Sequence, residues 1–130
     1  MLAAFDRKKI LIVEDDDFLR EMYKSKLEME NLHVIAKTDG AQGLRALEKF
    51  EPDLILLDII MPKVDGFEVL AKIRKDKKYK KFRKTPIIIL TNLSTREAVD
   101  KAFALGANDY LIKTHFIPSE VMKKVQKYIS

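Results

Sequence analysis

The chain has 130 residues, enough for one ordinary domain with a single core and too few for two. Almost half of it is apolar and about a third charged, which excludes a disordered chain, and it contains no cysteine, which excludes disulfides and thiolate sites. The net charge of +5 is local: Lys72 to Lys84, "KIRKDKKYKKFRK", takes nine of the 25 bases and one of the 20 acids, leaving 16 bases against 19 acids elsewhere.

The first nine residues, "MLAAFDRKK", reach an acid and three bases with no long apolar stretch or cleavage pattern, so they read as a short lead (residues 1–7) and the expected location is the cytoplasm. "KILIVE" at 9–14 is the first predicted strand; a helix of 3.6 period follows over 17–30, with Leu19, Met22, Tyr23 and Leu27 on one face. "HVIA" at 33–36 is the second strand, and Asp39 is placed to cap a second helix in which Leu44, Leu47 and Phe50 share a face over 41–50. The third strand, "DLILLD" at 53–58, runs into "IIMP", and the next helix covers 66–75 with Phe67, Leu70 and Ile73 inward. After the basic stretch come "PIIIL" at 86–90 and a fourth helix over 95–105, with Val99, Ala102 and Phe103 inward, opened by a Ser94–Glu97 capping box and closed by Gly106. "YLIK" at 110–113 is the fifth strand, and Pro118 and Ser119 precede a last helix carrying Val121, Met122, Val125 and Ile129. No apolar run approaches the roughly 20 residues that span a bilayer.

Several strands are continuously apolar, as strands covered on both faces are. Five β-α units therefore predict an α/β fold, a parallel sheet between two helical layers, occupying the chain as one domain. In such a sheet ligands gather at the carboxyl ends of the strands. The residues standing there are Glu14 and Asp15 with Asp16 and Asp17, then Asp58, then Thr91 and Asn92, then Lys113. Carboxylates about 4 Å apart repel by roughly 4 kcal/mol at an effective dielectric near 20, so a converging cluster must protonate, recruit Lys113 or bind a hard cation. Oxygen donors without His or Cys favour Mg²⁺, and the two histidines, His33 and His115, have no ligand spacing and read as surface or strand-edge residues. A cation and Lys113 together would suit a phosphoryl group, with Asp58 as nucleophile.

"KKILIVEDDDFLREM", "PDLILLDIIMPKVDGFEVL", "TPIIILTN" and "ALGANDYLIK" appear in this order, and the chain so resembles the receiver domain of two-component response regulators, of the single-domain chemotaxis kind, over essentially its full length. The resemblance implies a flavodoxin-like (βα)5 three-layer sandwich of strand order 2-1-3-4-5. It makes Asp58 the phosphoacceptor, with Mg²⁺ held by Asp15, Asp58, water on Glu14 and the carbonyl of Ile60, and Lys113 paired to the phosphoryl group. Thr91 and Tyr110 match the family's coupled switch, acting on a protein-docking face made of the fourth helix, fifth strand and fifth helix. The donor would be a histidine kinase or a phosphotransfer protein, and the chain itself no turnover enzyme, monomeric or dimerising on phosphorylation. Because the chain ends just after the fifth helix, it is expected to act alone through a protein contact.

Two departures stand out. The family's lysine precedes a cis proline, whereas Thr114 follows Lys113 here, and a cis bond before a non-proline costs about 3–4 kcal/mol, so a trans bond is expected. Ile60 and Leu93 occupy positions that tune dephosphorylation and cannot hold an attacking water, which implies a persistent phosphoaspartate. Two other function classes remain open. An aspartate-nucleophile phosphatase would want an acid where Ile60 stands and its nucleophile after the first strand. A nucleic-acid-binding module would use Lys72 to Lys84, with Tyr79 and Phe82 stacking on bases, against the plainer reading of cations favoured by a helix C-terminus.

Overall fold

The computed structural model describes residues 7–130; most of the N-terminal lead, residues 1–6, lies outside the described residues. Five strands, β1 (Lys9–Val13), β2 (His33–Lys37), β3 (Leu54–Leu57), β4 (Ile87–Thr91) and β5 (Asp109–Ile112), alternate with α1 (Asp17–Met29), α2 (Gly40–Ala46), α3 (Gly66–Lys75), α4 (Arg96–Ala104) and α5 (Pro118–Ile129). The strands pair in the order β2-β1-β3-β4-β5, all parallel, with Val13 beside Leu57 and Leu57 beside Ile89. This is the α/β sandwich that the sequence predicts, in the flavodoxin-like strand order that the resemblance implies.

Side chains alternate across each strand, and so the continuous apolar runs split into two cores. Ile10, Ile12, Leu54, Leu56, Ile88 and Leu90 meet α1 and α5 through Tyr23, Leu27, Val121, Val125 and Ile129. Leu11, Val13, Ile55, Leu57, Ile87 and Ile89 meet α2 and α3 through Leu44, Val69, Leu70 and Ile73, and α4 through Ala102. Each such Leu or Ile contributes about 1.5–3 kcal/mol by leaving water, and truncating one at the centre, Leu56→Ala for instance, would cost about 2–5 kcal/mol.

The helices depart from expectation at their ends. α2 stops at Ala46, because Leu47, Glu48 and Lys49 donate to carbonyls three residues back and tighten the last turn; Leu47 and Phe50 are buried all the same. α4 is capped by Thr95, whose hydroxyl accepts from the Ala98 N–H at 3.2 Å, so the Ser94–Glu97 box does not form. α4 turns Ala98 and Ala102 into the core, leaves Val99 half-buried and keeps Phe103 45% exposed, so its inward face is not the one expected. Gly106, at φ +107°, closes α4 in a conformation that other residues avoid. Pro118 is the first residue of α5 instead of preceding it, and the Ile117 N–H donates to Glu120 Oε1 at 2.9 Å. His33 lies on the edge strand β2, edge-on to the Phe50 ring.

The basic stretch is ordered. Lys72, Arg74 and Lys75 form the last turn of α3, where the helix dipole favours them. Lys77–Phe82 forms two 3₁₀ turns, capped by Asp76 and kinked at Tyr79, and Tyr79 and Phe82 are buried in the core. Neither ring can stack on a base, which corrects that part of the nucleic-acid reading. Arg74 donates to the carbonyls of Gly106, Phe82 and Thr85 and to Asn108 Oδ1, at 2.8–2.9 Å. Arg83 bonds the carbonyls of Ile73 and Asp76. The two arginines therefore hold the loop together from within.

Candidate functional site

The cleft lies where β1, β3, β4 and β5 end. Glu14 follows β1, Asp58 follows β3, Thr91 closes β4 and Lys113 follows β5, so parallel pairing with β3 between β1 and β4 gathers four strand ends. The cleft has a volume of about 300 Å³ and is lined by Glu14, Asp15, Asp58, Ile60, Thr91 and Lys113, among others. Lys113 Nζ lies 2.6 Å from Glu14 Oε1 and 2.8 Å from Asp58 Oδ2. Carboxylate oxygens of Glu14, Asp15 and Asp58 all lie within 4.8 Å of one another. Glu14 and Asp58 are buried, whereas Asp15 is exposed.

The backbone fixes these carboxylates. Asp58 Oδ1 accepts from the N–H groups of Ile59 at 2.7 Å and Ile60 at 3.2 Å, and Glu14 Oε2 accepts from the Asp16 N–H at 3.1 Å. Asp16 caps α1, its side chain accepting from the Leu19 N–H, and Asp17 pairs with Arg20 at 2.5 Å, so these two serve the helix start. Arg20 escaped the sequence reading. It is buried, and its Nη1 donates to the carbonyl of Glu14 at 3.0 Å and that of Asp15 at 3.4 Å, bracing the acidic loop from beneath. The signal was an arginine at the spacing of Tyr23 and Leu27, on the inward face of an amphipathic helix.

Burial pushes the Glu14 carboxyl above its ordinary range; the Lys113 hydrogen bond pulls it back and the Asp58 charge adds to the rise. For Lys113, burial works against the ammonium, but the hydrogen bonds to Asp58 and Glu14 outweigh it and hold the lysine above its ordinary value. With all three carboxylates ionised, one ammonium leaves an excess of two negative charges in a partly buried cleft. A divalent cation would cancel that excess, and an all-oxygen donor set suits a hard one. The residues present therefore fit Mg²⁺.

Thr91 is fully buried, and its hydroxyl accepts from the Leu93 N–H at 3.3 Å. The Tyr110 hydroxyl donates to the Leu93 carbonyl at 2.5 Å, and burial, with a smaller part from Asp58, pushes its pKa above the ordinary tyrosine value. One residue, Leu93, thus links the two hydroxyls, through its N–H on one side and its carbonyl on the other. Leu93 itself packs against the core, whereas Ile60 is 57% exposed at the cleft. The Lys113–Thr114 bond is trans, since no cis peptide occurs among the described residues, and Lys113 reaches both acids from a 3₁₀ turn, Lys113–His115. Asp58 ends the third strand, not the first as the phosphatase reading wanted, and no helix among the described residues is long and apolar enough to cross a membrane.

Comparison with known proteins agrees with this geometry. The family model for the response regulator receiver domain matches residues 10–126. The alkaline phosphatase synthesis transcriptional regulatory protein PhoP of Bacillus subtilis is 38% identical over 121 residues, which are 92% of this chain and 47% of that protein. The chain thus spans about half the length of the curated relatives it matches. Among solved structures, the chemotaxis protein CheY4 of Vibrio cholerae is 31% identical with a TM-score of 0.84, over 94% of this chain and 98% of that one. The receiver domain of a Pseudomonas aeruginosa sensor histidine kinase, which carries a magnesium ion in its active-site cleft, is 30% identical with a TM-score of 0.81, over 95% and 98%. By fold, by the four strand-end residues and by descent, the chain belongs to the response regulator receiver domains of two-component signalling.

Proposed function

We propose that the chain, residues 1–130 taken as one receiver unit, is a switch thrown by phosphorylation of Asp58. The observation that carries this reading is the Lys113 ammonium bridging Asp58 and Glu14 within reach of a third carboxylate, a charge arrangement that suits a phosphoryl group. An Asp58 oxygen attacks phosphorus; an O–P bond forms as the donor's bond to phosphorus breaks, and the electron pair leaves with the donor. Asp15 and Asp58 would hold Mg²⁺ by their side chains, Glu14 through water and Ile60 by its carbonyl. The ion would supply neutralisation of the phosphoryl oxygens.

Lys113 exchanges its carboxylate partner for a phosphoryl oxygen and so keeps an anionic neighbour throughout. Thr91 turns its hydroxyl to the new group and gives up the Leu93 N–H, which loosens the residue whose carbonyl the Tyr110 hydroxyl grips. That movement remodels the surface of α4, β5 and α5, where a downstream protein docks. The donor is a histidine kinase or a phosphotransfer protein in the cytoplasm, and the chain acts as phosphoacceptor without turning over an external substrate. Incubation with Mg²⁺ and a small acyl-phosphate donor should add one phosphoryl mass to the wild type and none to Asp58→Asn. No addition to the wild type, or equal addition to both, overturns the reading.

A further inference from the structure

The basic stretch is two 3₁₀ turns that meet in a kink at Tyr79, and its side chains three apart fall into three different surroundings. One ridge, Tyr79 and Phe82, is buried in the core. The second, Lys78 and Lys81, pairs with Glu48 at 2.7 Å and Glu51 at 2.6 Å. The third, Lys77 and Lys80, faces water, flanked by the exposed Lys75 and Lys84. None of these four forms an ion pair among the described residues, although Glu48 and Glu51 stand close by in the segment after α2. The ridge joins the C-terminus of α3 to the start of β4, at the end of the sheet opposite the acidic cleft.

We infer that this ridge is a second binding surface, for the phosphate backbone of duplex nucleic acid. A protein partner would want an aromatic or aliphatic anchor at the centre of the contact, and here both aromatic rings are turned inward. A single strand would want the same rings for stacking. Phosphates need only spaced cations, which is what remains, and the binding carries no sequence preference.

Fluorescence anisotropy of a short labelled duplex tests this. With four lysines engaged, log K should fall against log salt with a slope of about −3 to −4, a loss of about a hundredfold between 50 and 200 mM salt. Lys77→Glu with Lys80→Glu should reduce that slope by about 2 while leaving the urea midpoint unchanged. Lys24→Glu with Lys123→Glu, an equal charge change on α1 and α5 across the sheet, should leave the slope alone. No binding at low salt, equal loss in both double variants, or tighter binding to a single strand, to anionic vesicles or to an acidic polypeptide overturns the inference.

Discussion

Gly66 is where backbone and site meet most tightly. Its N–H donates to the Ile59 carbonyl at 2.9 Å, and α3 begins directly against the loop that follows Asp58. A Cβ built there would stand 2.2 Å from the Asp58 carbonyl oxygen and 2.7 Å from Ile59 Cα, more than an ångström inside the 3.4 Å at which ordinary contact begins for the oxygen. Both neighbours are main chain, so no rotamer change relieves the overlap. Overpacking of this kind costs about 1–3 kcal/mol, and rigid neighbours put it at the upper end. Against this, alanine for glycine in a helix gains at most about 1 kcal/mol, less at a first position. The net expectation for Gly66→Ala is a loss of about 2 kcal/mol, or about 8 °C in Tm for a chain of this size. At Gly43 the new Cβ meets only the Val13 side chain, at 2.7 and 3.3 Å, which can give, so Gly43→Ala should lose less. Urea unfolding in EDTA reads both, with the slope m unchanged. Because the clash falls on the Asp58 backbone, Gly66→Ala should also slow phosphoryl uptake from an acyl-phosphate donor. A Gly66→Ala midpoint at or above the wild type would refute this account of how the loop is held.

Mg²⁺ should raise Tm, by an amount equivalent to about 2.7 kcal/mol at a hundred times its Kd, and Asp15→Asn should shrink the gain; a melting curve indifferent to Mg²⁺ would show that the cleft binds no ion. Lys113→Ala in EDTA leaves Glu14 and Asp58 buried without their ammonium, a loss of about 3 kcal/mol near neutral pH. Glu14 is already raised above 4.5 in the folded chain and should rise further without Lys113, so its ionisation penalty is absent below 4.5 and grows as pH rises through the folded value. The gap from wild type should therefore narrow on acidification toward pH 4.5, and a constant gap would contradict the assignment. Ile60→Asn with Leu93→Glu should speed phosphate release from phosphorylated protein, since Ile60 borders the cleft without offering a water any partner; a rate unchanged or lowered sinks the idea of a persistent phosphoaspartate.

The site was legible in the sequence because parallel pairing makes every functional side chain a strand-end residue. Once the apolar runs ended at Glu14, Asp58, Thr91 and Lys113, the fold class put those four at one end of the sheet, and the strand order that the resemblance implied brought them together. What stayed hidden were groups whose partners lie in turns and loops. Arg20 reads as one more polar residue of α1 until its guanidinium is seen on the carbonyls of Glu14 and Asp15. Arg74 reads as one of nine cations, yet it joins the end of α3 to Gly106 and Asn108, 32 and 34 residues away.

The basic stretch shows why composition could not decide its own reading. A helix of 3.6 period would have spread its lysines around the axis, whereas a 3₁₀ helix sorts them into ridges with different neighbours. Asp76 sets that choice: it ends α3 in an extended conformation, and its carboxylate caps the next turn through the Lys78 N–H. The two short turns that follow, with the kink at Tyr79 between them, bury two aromatics, pair two lysines with glutamates and leave two in water. Charge counting gives all four lysines the same exposed, solvated character; only the local backbone distinguishes the ones that hold the fold from the ones free to hold something else.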